Sequence, residues 1–532
     1  MTHITYDALI VGFGPVGATM ANLLARRGLR VGVVEPEFEI YDKPRALTFD
    51  HEVMRIFQAC GLAERIAEFT APHPGTHYLG IDGRVIKKVE SLPPPYPLAW
   101  PPTITFVQPE IERLLRAGVA GSAAADVFLG HRGIAFTQDD RGVALTVQDI
   151  MQGKEHLLQA RALLGCDGAN SFVRKQLAIP LEDLGFDEWW MVVDTRIRAP
   201  VDLPPRCIQY CWPSRPATFV PGPGNLRRWE IKLLPGEDPE EFGRHENVVR
   251  QISRFVDPFS VEIWRSAVYR FHALLARRWR HGRVFLLGDA CHQTPPFLGQ
   301  GMCAGIRDAA NLAWKLAMVL RDNAPEALLD SYERERKPHV RTLVATAKDF
   351  GQIIGELDPA AARIRDEALR GQLERGEAET IRQRFVPDLT TGVIDREPAA
   401  REAGTLFVQP RIQNAMGGPV LLDDLLRFRF LIAATTAEAQ EWLTPESREL
   451  WRRLGGERIV IGAAVHMHQP DGPTGNDIQV LAETDALFAT WMSQRRCAAV
   501  VVRPDRYVFG TASDAAQLNR LVAAVGRHVL PA

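Results

Sequence analysis

The stretch Gly12-Phe13-Gly14-Pro15-Val16-Gly17 constrains this chain most. Tyr6 to Val11 before it reads as a buried strand, Pro15 to Arg27 as a helix, and Leu29 to Val34 as a second strand. That is a βαβ start. Gly12 allows the tight turn, Gly14 lets a pyrophosphate approach the backbone, and Gly17 lets helix and strand pack closely. The helix that starts at Pro15 and Val16 then turns a positive dipole end, and the free N–H groups that follow Pro15, to phosphates. Pro15 suits the first helical turn, where its missing donor costs nothing. The second strand ends in Glu35, an acid placed to hydrogen-bond both ribose hydroxyls of an adenosine. Spaced glycines alone are a weak signal; strand, glycines, helix, strand and acid in register are a strong one.

Nicotinamide and flavin dinucleotides share this start. "GDACHQTPPFLGQGMCAGIRDAANLAWKL", Gly288 to Leu316, separates them. Asp289 sits at a strand end, where its carboxylate can accept from the ribityl hydroxyls of a flavin. The Gly299-Gln300-Gly301 turn opens a helix at Met302. N–H groups and the dipole there can hold the negative charge on the N1/O2 edge of a reduced flavin. A nicotinamide dinucleotide has neither a ribityl chain nor such an anion, so FAD is the expected cofactor. A third element, "ARALLGCDGANSFVRKQL", turns at Asp167-Gly168 into a helix with Ser171 and Arg174. By itself it reads as a turn and a helix cap.

At 532 residues the chain exceeds one core. The reading gives a discontinuous α/β dinucleotide-binding domain, 1–181 and 276–355. Short β-like runs split by Pro and Gly mark an inserted antiparallel sheet, 182–275, as a substrate domain. A charged, helix-like linker follows at 356–403, and a compact α/β domain at 404–532. Residues 36–120 read as loops with helical patches near 51–67 and 109–120. A net charge of −2, from 63 basic and 65 acidic residues, gives no pull toward nucleic acid or an anionic membrane. Seven scattered cysteines without CxxC point to reduced thiols in a cytoplasmic protein and to no metal site. The N-terminus enters a strand pattern almost at once, so no leader is expected.

With these residues in place, the chain resembles the group A flavoprotein aromatic hydroxylases. The resemblance rests on Gly12-x-Gly14-x-x-Gly17 with Glu35, Pro44-Arg45-Ala46, Gln108-Pro109, Asp167-Gly168 with Arg174, and Gly288-Asp289 through Gly301, in family order and spacing. It extends over nearly the whole chain. It implies a Rossmann-like FAD-binding domain, a β-sheet substrate domain and a thioredoxin-like C-terminal domain. That last region lacks CxxC and holds Cys497 alone, so scaffolding or homodimer formation is expected there rather than dithiol chemistry.

By the same resemblance Arg45 and Gln108 contact the ribityl or diphosphate, and Asp167 touches FAD and the incoming nicotinamide. Pro296 and Gly299 to Met302 wall the isoalloxazine. The implied reaction uses NADH or NADPH and dioxygen, passes through a C4a-hydroperoxyflavin, and hydroxylates a phenolic acid ortho to its hydroxyl, giving a catechol. Stretches such as "WMVVDTRI" and "YCWPSRP" resemble family members that act on 3-(3-hydroxyphenyl)propionate, and that resemblance implies a substrate of this kind. Resorcinol, a hydroxybenzoate-like acid, a polyketide, or FAD binding without turnover are the alternatives. Tyr210, Phe219 and Trp229 lie on runs of the inserted sheet and are candidate pocket walls. Arg196, Arg215 and Arg228 are candidate carboxylate partners. No base emerges, although His272 and His292 are within the relevant stretches.

Overall fold

The computed structural model describes residues 5–397, 400, 402–414, 417–463 and 478–531. Five parallel strands form its first sheet, in the order Val284–Leu286, Glu155–Gly165, Tyr6–Val11, Val31–Glu35 and Ala125–Leu129. Their central members are continuous apolar runs because helices cover the sheet. Helix Pro15–Ala25 packs between Gln108–Ala120 and Gly301–Arg321. An antiparallel ribbon, His131–Gln138 and Val143–Asp149, extends from the long strand Glu155–Gly165.

The second sheet has eight strands: His292–Gln293, Val261–Ala276, Leu181–Ile197, Leu226–Lys232, Ala217–Pro221, Cys207–Tyr210, Thr76–Leu79 and Val85–Val89. All neighbours are antiparallel except Cys207–Tyr210 beside Thr76–Leu79. Two of its strands therefore come from the stretch read as loops and helices. Thr48–Asp50, Thr70–Pro72 and Thr103–Phe106 form a further small sheet in that stretch. Strands of three to five residues are too short to show alternation, which is why the pattern missed them. The helical patches correspond to His51–Ala59, Ala63–Ala67 and Gln108–Ala120.

After the long helix Ala327–Gly355, the linker forms helix Pro359–Glu374 and a single 3-10 turn, Arg382–Phe385. It docks on the second sheet: Asp366 accepts from Ile81 N at 2.7 Å, and Arg365 donates to Cys211 O at 2.9 Å. In the C-terminal region Leu431–Ala434 runs parallel to Glu457–Ala463 and antiparallel to Ala499–Val502, which pairs with Val508–Ala512. The hairpin read at Arg503-Pro504-Asp505 lies between those last two strands. Arg503 there meets Glu335 at 2.8 Å, and Glu335 also holds Lys315 at 2.7 Å, so a buried ion cluster ties this region to the first domain. None of the described helices is long and apolar enough to cross a membrane.

Candidate functional site

A cleft of about 2110 Å³ runs between the first and second sheets. That exceeds the roughly 300–1,000 Å³ of a small-ligand pocket and leaves room for a dinucleotide beside a substrate. One end is the glycine turn. Gly12 has φ +99°, and a Cβ there would lie 2.4 Å from Cys166 O; at Gly17 it would lie 2.0 Å from Gly12 O. These two glycines make the turn and bring helix and strand together, and Gly17 does not itself face the cleft. Gly14 differs: its φ is −69°, and a Cβ there would meet nothing within 4 Å. The open space lies over the start of helix Pro15–Ala25, where a phosphate belongs. Glu35 closes the turn, accepting from Phe13 N at 2.6 Å and from Glu37 N at 3.1 Å.

The other end is the second glycine turn. Gly299 is left-handed at φ +62°, and helix Gly301–Arg321 begins beyond it. Gly301 is as open as Gly14, with nothing within 4 Å of a Cβ. Its N–H and those of the next residues have no partner within the helix. Pro296 and Met302 line the same wall. The side chain of Gln300 does not: it donates to Asp50 at 3.0 Å and accepts from Arg307 at 2.8 Å, so this residue offers only backbone.

Between the two turns stand the acids. Asp289 opens into the cleft with no hydrogen-bond partner among the described residues, and the surrounding wall raises its pKa by desolvation. Asp167 accepts from Ser171 Oγ at 2.6 Å and Val173 N at 3.0 Å; burial raises its pKa too. Arg174 donates to Ala290 O and Ala169 O, at 2.8 and 2.9 Å, and so locks the Asp167 and Asp289 turns to each other. Gln108 accepts from the N–H groups of Arg45 and Ala46, at 2.9 and 2.6 Å, and fixes the Arg45 loop at the cleft wall.

Tyr210, Phe219 and Trp229 do not line this cleft, and the expectation that they wall the pocket is corrected. Side chains alternate along a strand, and these three point to the opposite face. Phe219 and Trp229 pack at 5.2 Å under helices Pro239–Phe242 and His245–Ile252, and Tyr210 packs against Phe255 with ring centroids 5.1 Å apart. The cleft face carries their neighbours Gln209, Thr218, Val220, Arg228 and Glu230. The aromatic face is apolar because the two helices cover it. Placing those helices on the sheet is the one signal that could have given the facing from sequence. Trp229→Phe is therefore expected to lower stability by roughly 0.5–3 kcal/mol while leaving the KM for substrate unchanged, which denaturant titration and steady-state kinetics check.

The other candidates are also placed. Arg215 pairs with Glu237 at 2.6 Å, Arg196 lies over Trp264 at 4.0 Å, and Arg228 is held by Asp194 at 2.7 Å. His292 is buried against Asp308 at 2.8 Å, behind the wall; His272 lines the cleft, 3.3 Å from Asp187. Sequence reasoning missed Arg382. The linker brings it into the cleft beside Gly299, where it donates to Leu298 O at 2.6 Å and forms no ion pair among the described residues.

The open glycine turns and the acids between them fit FAD: one end suits a pyrophosphate, the other a flavin ring. The fold and cleft thus define a dinucleotide-binding flavoprotein. The FAD-binding domain family matches residues 5–347, and the HcaD C-terminal domain matches residues 404–528. The chain is 32% identical to a 3-(3-hydroxy-phenyl)propionate/3-hydroxycinnamic acid hydroxylase of Comamonas testosteroni, covering 95% of this chain and 94% of that one. It is 33% identical to a probable NADH-specific resorcinol 4-hydroxylase of Rhodococcus jostii, covering 98% and 95%. The fold matches the flavin-dependent monooxygenase PieE, solved with FAD and substrate, with a TM-score of 0.80 over 98% of each chain at 22% identity. It matches aklavinone-11 hydroxylase with a TM-score of 0.75, over 99% and 100% at 23% identity.

The chain belongs to the FAD-binding domain family, among the flavoprotein aromatic hydroxylases. It is an FAD-dependent monooxygenase with a nicotinamide nucleotide as reductant.

Proposed function

We propose that the protein hydroxylates a phenolic acid of the 3-(3-hydroxyphenyl)propionate kind ortho to its hydroxyl, giving a catechol. The observation that carries this reading is the composition of the cleft beside the flavin-facing turn: a polar sheet face together with a cation, Arg382, that no acid among the described residues neutralises. When bound, FAD supplies the redox chemistry, taking hydride from NADH or NADPH and activating dioxygen. The chain's own residues position and shield. Gly14 and the start of helix Pro15–Ala25 receive the pyrophosphate, and Glu35 the adenosine ribose. Asp289 accepts from the ribityl hydroxyls. Gly301 and Met302 offer N–H groups to the electron-rich ring edge. Val192, Val220, Phe271 and Phe297 keep the reacting region apolar and exclude water.

In this reading Arg382 binds the substrate carboxylate. Arg382→Gln is expected to raise the KM for the acid about tenfold, the low end of a charge-assisted hydrogen bond's roughly 1.5–3 kcal/mol, and to leave the KM for an uncharged phenol unchanged. Steady-state kinetics with both substrates checks this. The second reading, hydroxylation of resorcinol, draws on the Rhodococcus relative. A panel of 3-(3-hydroxyphenyl)propionate, 3-hydroxybenzoate and resorcinol decides: the proposal expects the propionate to stimulate NAD(P)H oxidation with matching oxygen uptake and a product heavier by one oxygen. Stimulated oxidation that yields only peroxide counts against it.

The proposal extends to the C-terminal domain, read as a thioredoxin-like scaffold in a cytoplasmic homodimer. The order of strands Glu457–Ala463, Leu431–Ala434, Ala499–Val502 and Val508–Ala512 supports the thioredoxin-like part. Cys497, beside Met492 without a second cysteine, supports a structural role.

A further inference from the structure

We propose that Glu230 is the catalytic base of the reaction, accepting the phenolic proton of the substrate; this rests on the phenol-hydroxylating reading above. Glu230 lies on Leu226–Lys232, directly between Val192 on one neighbouring strand and Thr218 on the other. Its side chain is on the cleft face, and the residue is 7% exposed. A buried carboxylate ordinarily has a donor. This one has no hydrogen bond with any described residue. Its nearest cation is Arg228, whose Nη1 is 3.9 Å away, and that guanidinium is already committed to Asp194 through Nε at 2.7 Å and Nη2 at 3.0 Å. The hydroxyl of Thr218 is turned to Gln209. An unsatisfied acceptor in an enclosed cleft is the partner that a substrate hydroxyl needs.

The neighbouring groups of the cleft are less suited to this role. His73 Nδ1 accepts from Gly75 N at 3.1 Å, which leaves the proton on its other nitrogen, and burial holds its pKa down to about 3. His73 can donate but not accept. Cys207 is a buried thiol pushed up to about 12. Asp167 is occupied by Ser171 and Val173, and His272, beside Asp187, lies five residues along its strand from Ala267, the position level with Val192 and Glu230. Glu112 is paired with Arg116 at 3.0 Å. Burial raises the pKa of Glu230 above that of an ordinary carboxylate, and Arg228 opposes that rise. The rise narrows the gap to a phenol near 10.

The step is a proton transfer. The phenol O–H breaks, an O–H forms on Glu230, and the substrate becomes a phenolate; no electrons change hands. The phenolate oxygen feeds density to its ortho carbon, where the new C–O bond forms as the O–O bond of the activated dioxygen breaks; NADH or NADPH supplies the two electrons, and the second oxygen atom leaves as water. The ring proton leaves as aromaticity returns, and the proton on Glu230 passes to solvent through the cleft mouth. The charged and titratable groups around Glu230 are Arg228 on its own strand, Asp194 on Leu181–Ile197, Arg265 on Val261–Ala276, Cys207 on Cys207–Tyr210, His73, and Arg382 from the linker. Cys207 is near enough to both Glu230 and Arg382 to feel the charge of each. Glu230 and Arg382 line the same cleft.

The test compares wild type, Glu230→Gln and Glu230→Asp, each loaded with FAD, using 3-(3-hydroxyphenyl)propionate and a ring-fluorinated analogue whose phenol is ionised at assay pH. Product per NAD(P)H is measured across pH. Wild-type hydroxylation should fall as pH drops through the raised carboxylate pKa. Glu230→Gln should keep its flavin spectrum and its reduction rate, lose product formation about 100-fold, release peroxide instead, and lack the acid limb. The fluorinated analogue should restore its product yield. If Glu230→Gln does not fold, Glu230→Asp decides, with the limb kept and the yield lowered. Wild-type turnover together with an unchanged pH profile and yield in the variants, or equal losses on both substrates, overturns the Glu230 assignment alone. A wild type that hydroxylates no phenol overturns the parent reading as well.

Discussion

Valine at position 14 is expected to empty the protein of FAD without unfolding it. The backbone at Gly14 has φ −69° and ψ −174°, which any residue adopts, and a Cβ there meets no protein atom within 4 Å. The folded chain therefore has room for the valine. The space it fills is the one the pyrophosphate needs against the helix start. Affinity for FAD should fall roughly 100-fold or more, about 3 kcal/mol. The purified variant should be colourless, and its apo form should melt with apo wild type. Substitution at Gly12 is the contrast. There φ is +99° and Cys166 O stands 2.4 Å from the new carbon, so the fold itself is strained.

Asp194→Ala is expected to produce the largest loss of stability. Asp194 is 0% exposed and serves two buried guanidinium groups, Arg228 at 2.7 Å and Arg265 at 3.2 Å. Removing it strands both cations, at a cost of roughly 3–5 kcal/mol for breaking a buried pair. The same two arginines donate to the carbonyls of Pro44 and Arg45, at 2.8 to 3.0 Å. The loop that carries Arg45 into the cleft should therefore loosen, and FAD should bind more weakly. Denaturant midpoints and FAD titration measure both effects. Replacing Arg228 and Arg265 with methionine in the same chain should recover much of the stability, since no unpaired cation then remains. A midpoint unchanged by Asp194→Ala would mean that the cluster carries none of the stability assigned to it.

The parts legible in the sequence were those written in contiguous residues. Gly12 to Gly17, Glu35, Asp289 and the turn at Gly299 each announce their backbone geometry locally, and the fold brings them to one cleft. Four of the seven described C-terminal strands are legible for the same reason, as short apolar runs bounded by turn residues; Arg411–Gln413, Pro419–Leu421 and Ile478–Glu483 are not. The facing of the second sheet was not. Phe219 and Trp229 alternate with Thr218, Val220, Arg228 and Glu230, and period 2 says nothing about which set meets the cleft. The answer lies in two helices near residues 239–252 that cover the aromatic side. Gln300 lies in the turn that the sequence marks, but its side chain answers to Arg307 and to Asp50, which is far away in sequence. Arg382 was hidden differently. It sits in a charged linker without an apolar face, and only the docking of that linker on the second sheet carries it beside Gly299.

The central claim is that one FAD spans the cleft from the turn at Gly14 to the turn at Gly299–Met302. A crystal structure of the protein with FAD and 3-(3-hydroxyphenyl)propionate tests it most directly. The account predicts the pyrophosphate over the N-terminus of helix Pro15–Ala25, the ribityl chain at Asp289, and the isoalloxazine edge within hydrogen-bond distance of the Gly301 and Met302 N–H groups. An isoalloxazine ring bound outside the cleft, or a dinucleotide that leaves the Gly299–Met302 turn untouched, would contradict it.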